Sequence, residues 1–244
     1  MAARPSDKNK LWQEREKLHA MLLSSVSHDL KTPLSCIIGS LEIYQQLKGT
    51  LSSEHKDTLI NTAIEEARRL DSFVSNILDM SKLESGGRFK YEYVDIGELV
   101  RQCVLQMEPR LRQHDVQLAL SSRLMVEVNA SWINRAVALL LDNAARYTPQ
   151  GSMIRVMASG DGKSFHIAVR DHGPGIPRKI QTKLFLKHAR AARQDAKIGT
   201  GLGLPICKAV ADAHGGSIAL DTPADGGACF TLTLPLAQKQ KRPA

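Results

Sequence analysis

Phe165-His166-Ile167-Ala168-Val169-Arg170-Asp171-His172-Gly173-Pro174-Gly175-Ile176 decides how most of this 244-residue chain is read. Phe165, Ile167 and Val169 recur every second residue, the period of a strand with one face buried. The strand ends at Asp171, and Gly173, Pro174 and Gly175 then turn the backbone sharply. A carboxylate is left at a strand end, beside backbone bare enough to approach a flat ligand.

Met153–Ala158 reads as the preceding strand, joined to the first through a hairpin turn at Gly160-Asp161-Gly162. Upstream, the spacing predicts a helix over Ser131–Tyr147, with Trp132, Ala136 and Leu139 or Leu140 facing the sheet. Asn143 and Tyr147 continue that stripe, with Arg146 alongside. An asparagine on an apolar face must be hydrogen-bonded or bind something. Further upstream, Phe89–Val94, Gln117–Leu120 and Met125–Val128 are strand candidates. Asp95-x-x-Glu98 resembles a capping box opening a helix through Gln106. Downstream come a short helix over Arg178–Phe185 and an aperiodic segment, Leu186–Ile198, that reads as a mobile loop. A helix over Gly203–His214 ends at Gly215-Gly216, and a hairpin joins Ser217–Leu220 to Ala228–Leu234. Antiparallel strands with helices of this length predict an α+β two-layer sandwich.

Gly199-Thr200-Gly201-Leu202-Gly203 opens the last helix. Its G-x-G-x-G spacing is not the dinucleotide fingerprint, no strand runs into it, and no P-loop exists in the chain. Bare backbone N–H groups at a helix start still suit a phosphate.

The first third is helical. Leu18, Leu22, Val26, Leu30, Leu34, Ile37, Leu41 and Tyr44 step by three and four. Lys48-Gly49-Thr50 breaks the run, and Leu59, Ala63, Ala67, Leu70, Val74, Ile77 and Met80 form a second. Ser52 or Ser53 can cap its start, and Gly86-Gly87 can end it. A lone helical hairpin leaves its apolar stripe in water, which predicts dimerisation into a four-helix bundle. The resulting fold class is an α helical hairpin followed by the α+β sandwich. Its boundaries are 1–87, 88–236 and a basic disordered tail over 237–244, with a hinge near Ser85–Arg88.

His28 lies in Ser24-Ser25-Val26-Ser27-His28-Asp29-Leu30-Lys31-Thr32-Pro33-Leu34. Its two-residue offset from Val26 and Leu30 turns it about 200° from the apolar stripe, toward water. Neutral imidazole is a nitrogen nucleophile, and Asp29 can accept its proton or orient its ring. Pro33 lacks an N–H for the carbonyl of Asp29, so a kink or loosened turn is expected there.

The net charge of +8 comes without a helix-turn-helix or zinc pattern, so nucleic-acid binding is not expected. Cys36, Cys103, Cys207 and Cys229 form no C-x-x-C pair and read as reduced, buried thiols. No apolar run approaches the ~20 residues of a membrane span. The expected compartment is the cytoplasm, as a free chain or as the cytoplasmic part of a membrane-bound sensor.

The string around His28 resembles the phosphoacceptor box of sensor histidine kinases, with an acidic residue after the histidine and a proline five places on. In that family the histidine takes phosphate from ATP, the acidic neighbour assists, and the residue at Thr32 often positions water for removing phosphate from the partner. The segments around Asn143, Asp171 and Gly199–Gly203 resemble the nucleotide boxes shared by histidine kinases, gyrase, heat-shock protein 90 and mismatch-repair ATPases. The resemblance implies that Asn143 ligates Mg²⁺ and Asp171 bonds the adenine amino group. It places Arg146 on phosphate and Tyr147 near adenine. Gly173, Gly175, Gly199, Thr200, Gly201, Leu202 and Gly203 bring backbone to the nucleotide, and Leu186–Ile198 is its lid. Leu139 stands where the family often has another asparagine, and His188 stands at the second phenylalanine after Phe185, so weaker metal coordination or altered lid packing is expected. Asn76–Gly87 and Gly226–Pro235 most resemble the sensor kinases of the bacterial potassium-transport (Kdp) system. The implied partners are a second copy of the chain and a response-regulator receiver domain. The competing classes are a gyrase- or chaperone-like ATPase and a degenerate kinase scaffold without turnover.

Overall fold

The computed structural model describes residues 29–47, 49–85, 90–121, 123–186 and 201–236. The chain divides between Ser75 and Asn76 into two compact units.

In the first unit, residues 29–47 (α1) are helical and are followed by α2, Ser53–Glu84. The Ser52 hydroxyl accepts the His55 N–H at 3.3 Å and so starts α2, as its position suggested. Pro33 withholds one backbone bond, yet the helix runs through it without a break, and Pro33 is buried. The single stripe read from sequence is two faces. Pro33, Ser40, Ala63 and Phe73 are buried within the hairpin. Leu34, Ile38, Leu41, Ile64 and Val74 stay 42–47% exposed. Steps of four and three from Leu34 to Ile38 to Leu41 keep these three on one side of α1.

The second unit is a mixed sheet under helices. After β1 (Glu92–Asp95) come α3 (Ile96–Gln106) and the short α4 (Glu108–Leu111). Next are β2 (Asp115–Leu120), β3 (Met125–Val128), α5 (Ala130–Tyr147), β4 (Met153–Gly160) and β5 (Ser164–Asp171). The last elements are α6 (Arg178–Gln181), α7 (Gly203–Ala213), β6 (Ser217–Asp221) and β7 (Ala228–Pro235). Five strands run in the order β2-β4-β5-β7-β6, while β1 and β3 form a separate antiparallel ribbon. The expected antiparallel hairpins β4–β5 and β6–β7 form, but β2 lies parallel to β4. Ile154, Val156, Phe165, Ile167, Val169, Phe230, Leu232 and Leu234 point inward from alternate positions. They meet Ile133, Val137, Leu140 and Leu141 of α5 and Ile206 and Val210 of α7, all buried. Burying each large side chain contributes roughly 1.5–3 kcal/mol.

Two local expectations change. Asp95 caps α3 by accepting the Gly97 N–H at 2.9 Å, but Glu98 does not reach back. Its carboxylate accepts from Arg101 and Gln102, one turn along its own helix, so no capping box forms. Cys36 is exposed rather than buried, and Cys229 is only half-buried. The last turns of α2 belong with the second unit, where Arg135 of α5 donates to Asp79 at 2.6 Å and to Asn76 at 2.9 Å. No helix among the described residues is long and apolar enough to cross a membrane.

His214 ties the end of α7 to the start of α5. It is 1% exposed; its Nδ1–H donates to the Val210 carbonyl at 2.8 Å, and its Nε2 accepts the Asn129 N–H at 3.1 Å. Both bonds need the neutral ring, and burial pushes its pKa below 6.5. The unfolded chain therefore binds a proton that the folded ring refuses. Stability is complete above pH ~6.5 and falls as the pH drops through that value toward the folded pKa, by at most about 1.4 kcal/mol per unit. Between pH 7.5 and 5.5 the urea midpoint should fall further in wild type than in His214→Gln, which cannot titrate.

Candidate nucleotide site

Asp171 closes β5 and is 4% exposed. Its Oδ1 accepts two backbone bonds, from Gly173 N–H at 2.8 Å and Ala228 N–H at 3.2 Å. Those bonds draw the Gly173 turn and the start of β7 onto one oxygen and leave Oδ2 for another donor. Burial nevertheless raises the Asp171 pKa, because desolvation outweighs both hydrogen bonds. The turn has no space for a side chain: a Cβ at Gly173 would lie 2.8 Å from the Tyr147 carbonyl oxygen and 2.9 Å from Asp171 Oδ1. The end of α5 is thereby packed against the Asp171 turn. Gly175 (φ +72°) lies against the backbone of Gly227.

Asn143 sits one helical turn before Tyr147. The buried face of α5 is Ile133, Ala136, Val137, Leu140, Leu141 and Ala144. Ala136 and Leu140 face the core as expected, while Trp132, Leu139, Asn143 and Tyr147 lie on the half-buried flank beside them. The apolar run from Ala136 to Leu141 gives the helix no clear phase, so spacing alone does not separate its buried face from this flank. That flank meets the glycine segment, where a Cβ at Gly203 would touch Leu139 at 3.6 Å. Asn129 and Asn134 spend their side chains on Trp132 N–H and Gln106 Oε1 respectively. The Asn143 carboxamide has no hydrogen-bond partner among the described residues, so a metal ligand fits there. No cluster of three or more histidine, cysteine or acidic side chains that could hold a metal occurs among those residues. A metal at Asn143 would therefore take most of its ligands from phosphate and water.

Arg146 donates from Nε to Asp142 Oδ2 at 2.8 Å and keeps its two terminal nitrogens for other acceptors. Gly201 (φ +68°) leads into α7, and Leu202 is 3% exposed. Phe185 packs edge-on against Phe230 of β7, with ring centroids 6.4 Å apart. Asp29 is half-buried and Thr32 exposed on α1. His28, Gly199, Thr200, His188, most of the expected lid and the 237–244 tail lie outside the described residues. Arg110, which donates to Asp142 across 32 residues of sequence, was not anticipated.

A buried acid at a strand end and a helix led by glycines are features that a nucleotide site can use. Residues 128–238 match the family of histidine kinase-, DNA gyrase B- and HSP90-like ATPases, and residues 19–86 match the His Kinase A phospho-acceptor domain. The chain is 35% identical over 226 residues to the sensor protein KdpD of Escherichia coli, covering 91% of this chain and 25% of that protein. It thus spans about a quarter of the length of the KdpD proteins it matches. Among solved structures, full-length ShkA in complex with AMPPNP aligns with a TM-score of 0.64 at 25% identity, over 89% of this chain and 46% of that one. Histidine kinase ThkA in complex with response regulator TrrA aligns with a TM-score of 0.75 at 24% identity, over 97% and 67%, and carries the fold. The chain belongs to the sensor histidine kinases and is a transmitter core of that family.

Proposed function

We propose that the chain is the catalytic core of a two-component sensor kinase, of Kdp type, in which His28 takes the γ-phosphoryl group of ATP and hands it to an aspartate of a response-regulator receiver. The observation that carries this reading is the joining, in one chain, of a phospho-acceptor domain containing His28 to a site built around Asp171. One imidazole nitrogen of His28 attacks the γ-phosphorus, an N–P bond forms, the bond to the bridging oxygen breaks and ADP leaves. Asp29 takes or orients the ring proton. Asp171 Oδ2 accepts from the adenine amino group, Tyr147 lies beside the ring, and the amides from Gly199 to Gly203 meet phosphate. Asn143 would hold Mg²⁺, which supplies charge neutralisation on the phosphates, and Arg146 adds its own positive charge.

Functional domains over 1–87 and 88–236 suit this division of labour, with Ser85–Arg88 as hinge. The exposed Leu34, Ile38, Leu41, Ile64 and Val74 suit a homodimer closed into a four-helix bundle. Thr32 would place water for dephosphorylating the regulator. The reading places the chain in the cytoplasm.

With γ-labelled ATP and Mg²⁺, the chain should acquire acid-labile label, and His28→Ala should lose it. Hydrolysis of ATP without label on the chain would point instead to a gyrase- or chaperone-like ATPase. Neither hydrolysis nor label would point to a scaffold.

A further inference from the structure

Asp142 has no part in the reaction described so far, although it directly precedes Asn143. Its two oxygens carry two guanidinium groups. Oδ2 accepts from Arg146 Nε at 2.8 Å, one turn along α5, and Oδ1 accepts from Arg110 on α4. The Asp142 side chain is 22% exposed, against 46% for Arg110. Solvent-facing ion pairs of this kind contribute little to stability. Their effect here is geometric and electrostatic. With Nε engaged, the long Arg146 side chain loses most of its freedom, and its two terminal nitrogens keep a fixed direction. Arg110 supplies a second positive charge. An Asp142–Arg146 pair alone would be neutral toward a polyanion, whereas the three groups together carry +1.

We propose that Asp142, steadied by Arg110, is a positioning residue that aims the Arg146 guanidinium at the triphosphate bound beside Asn143. The inference rests on the phosphoryl-transfer reading above, and within it on Arg146 meeting phosphate. A guanidinium already aimed acts most where charge redistributes in the transition state, so loss of aim lowers turnover more than ground-state affinity.

The test uses the whole chain, autophosphorylation at saturating ATP, and equilibrium binding of ATP and adenosine. Asp142→Asn keeps the shape and removes the charge. It should slow label incorporation about 10-fold while changing the KM for ATP by less than about threefold. Adenosine affinity and the thermal midpoint should not move. In an Arg146→Ala background, Asp142→Asn should cost nothing further, because its effect runs through the missing side chain. Arg110→Ala should weaken ATP but not adenosine. Full turnover in Asp142→Asn while Arg146→Ala is impaired would overturn the inference and leave the kinase reading intact. So would an Asp142→Asn defect that multiplies with that of Arg146→Ala, or one that tracks a lower thermal midpoint. Absence of label on His28 in the wild-type chain would overturn the kinase reading itself.

Discussion

Asp171→Asn should lower the affinity for ATP by about 100-fold, corresponding to ~2.7 kcal/mol, without unfolding the protein. The two backbone bonds explain why the fold survives. Gly173 N–H and Ala228 N–H both point at Oδ1, and an asparagine carbonyl oxygen accepts them equally well in geometry. The second position changes sign: where the carboxylate offers Oδ2, asparagine presents an NH₂ group, a donor facing the donor of an adenine amino group. A site built on one hydrogen bond rejects the mismatched partner strongly, because a buried polar group is left unpaired. Stability should move the other way. Burial raises the folded pKa of Asp171 above the unfolded value of 3.8, so the folded state binds its proton more tightly. The favourable contribution of that protonation is present below the unfolded pKa and disappears as the pH rises through the folded pKa. At pH 7 the wild-type protein thus holds a buried charge at a cost that asparagine does not carry. Calorimetric titration with ATP and a urea curve at pH 7 check both halves. ATP binding equal to wild type would remove Asp171 from purine recognition.

Much of this site was legible because its chemistry is local. The carboxylate, the Gly-Pro-Gly turn and the alternation of Phe165, Ile167 and Val169 sit within twelve consecutive residues, and β3 was readable to the residue at Met125–Val128. Period-two alternation marks a strand and its buried face, but not its neighbour. That is why the parallel pairing of β2 with β4 could not be read. The four residues of α4 are too few to show a helical period. Arg110 carries no local sign that it will meet Asp142. The half-buried position of Asn143 and Tyr147 on α5 has a different cause. Ala136 to Leu141 are all apolar, so every phase buries something, and only packing against the sheet selects Ile133, Val137 and Leu140. Asn143 stands out by its chemistry, and its place is the half-buried edge of the face rather than its centre. In the hairpin, Pro33 and Leu34 are adjacent apolar residues, yet one is buried and the other exposed. Neighbouring residues of a helix lie about 100° apart, so two adjacent apolar residues need not share a face.

Gly227→Ala should be the most damaging of the small substitutions, at about 3–5 kcal/mol. Gly226 and Gly227 both adopt the left-handed backbone, with φ of +92° and +77°. An alanine at Gly226 meets nothing within 4 Å, so only backbone strain applies, about 1–2 kcal/mol. An alanine at Gly227 adds overlap with the carbonyl oxygen of Asp171. Its Cβ would also lie 2.9 Å from the Asp171 carbonyl carbon and 3.1 Å from His172 Cα. These obstacles are backbone, so no side chain can rotate away. Relief requires the β6–β7 loop to separate from the Asp171 turn, which pulls the Ala228 N–H off Oδ1. A domain with the usual 5–15 kcal/mol of stability loses a large share of it. The pair of variants separates strain from contact: urea midpoints should fall modestly for Gly226→Ala and severely for Gly227→Ala. Whatever Gly227→Ala protein remains folded should bind ATP poorly. Equal midpoints for the two variants would mean that the β6–β7 loop does not press on the Asp171 turn, and that the buried carboxylate is held in place by Gly173 alone.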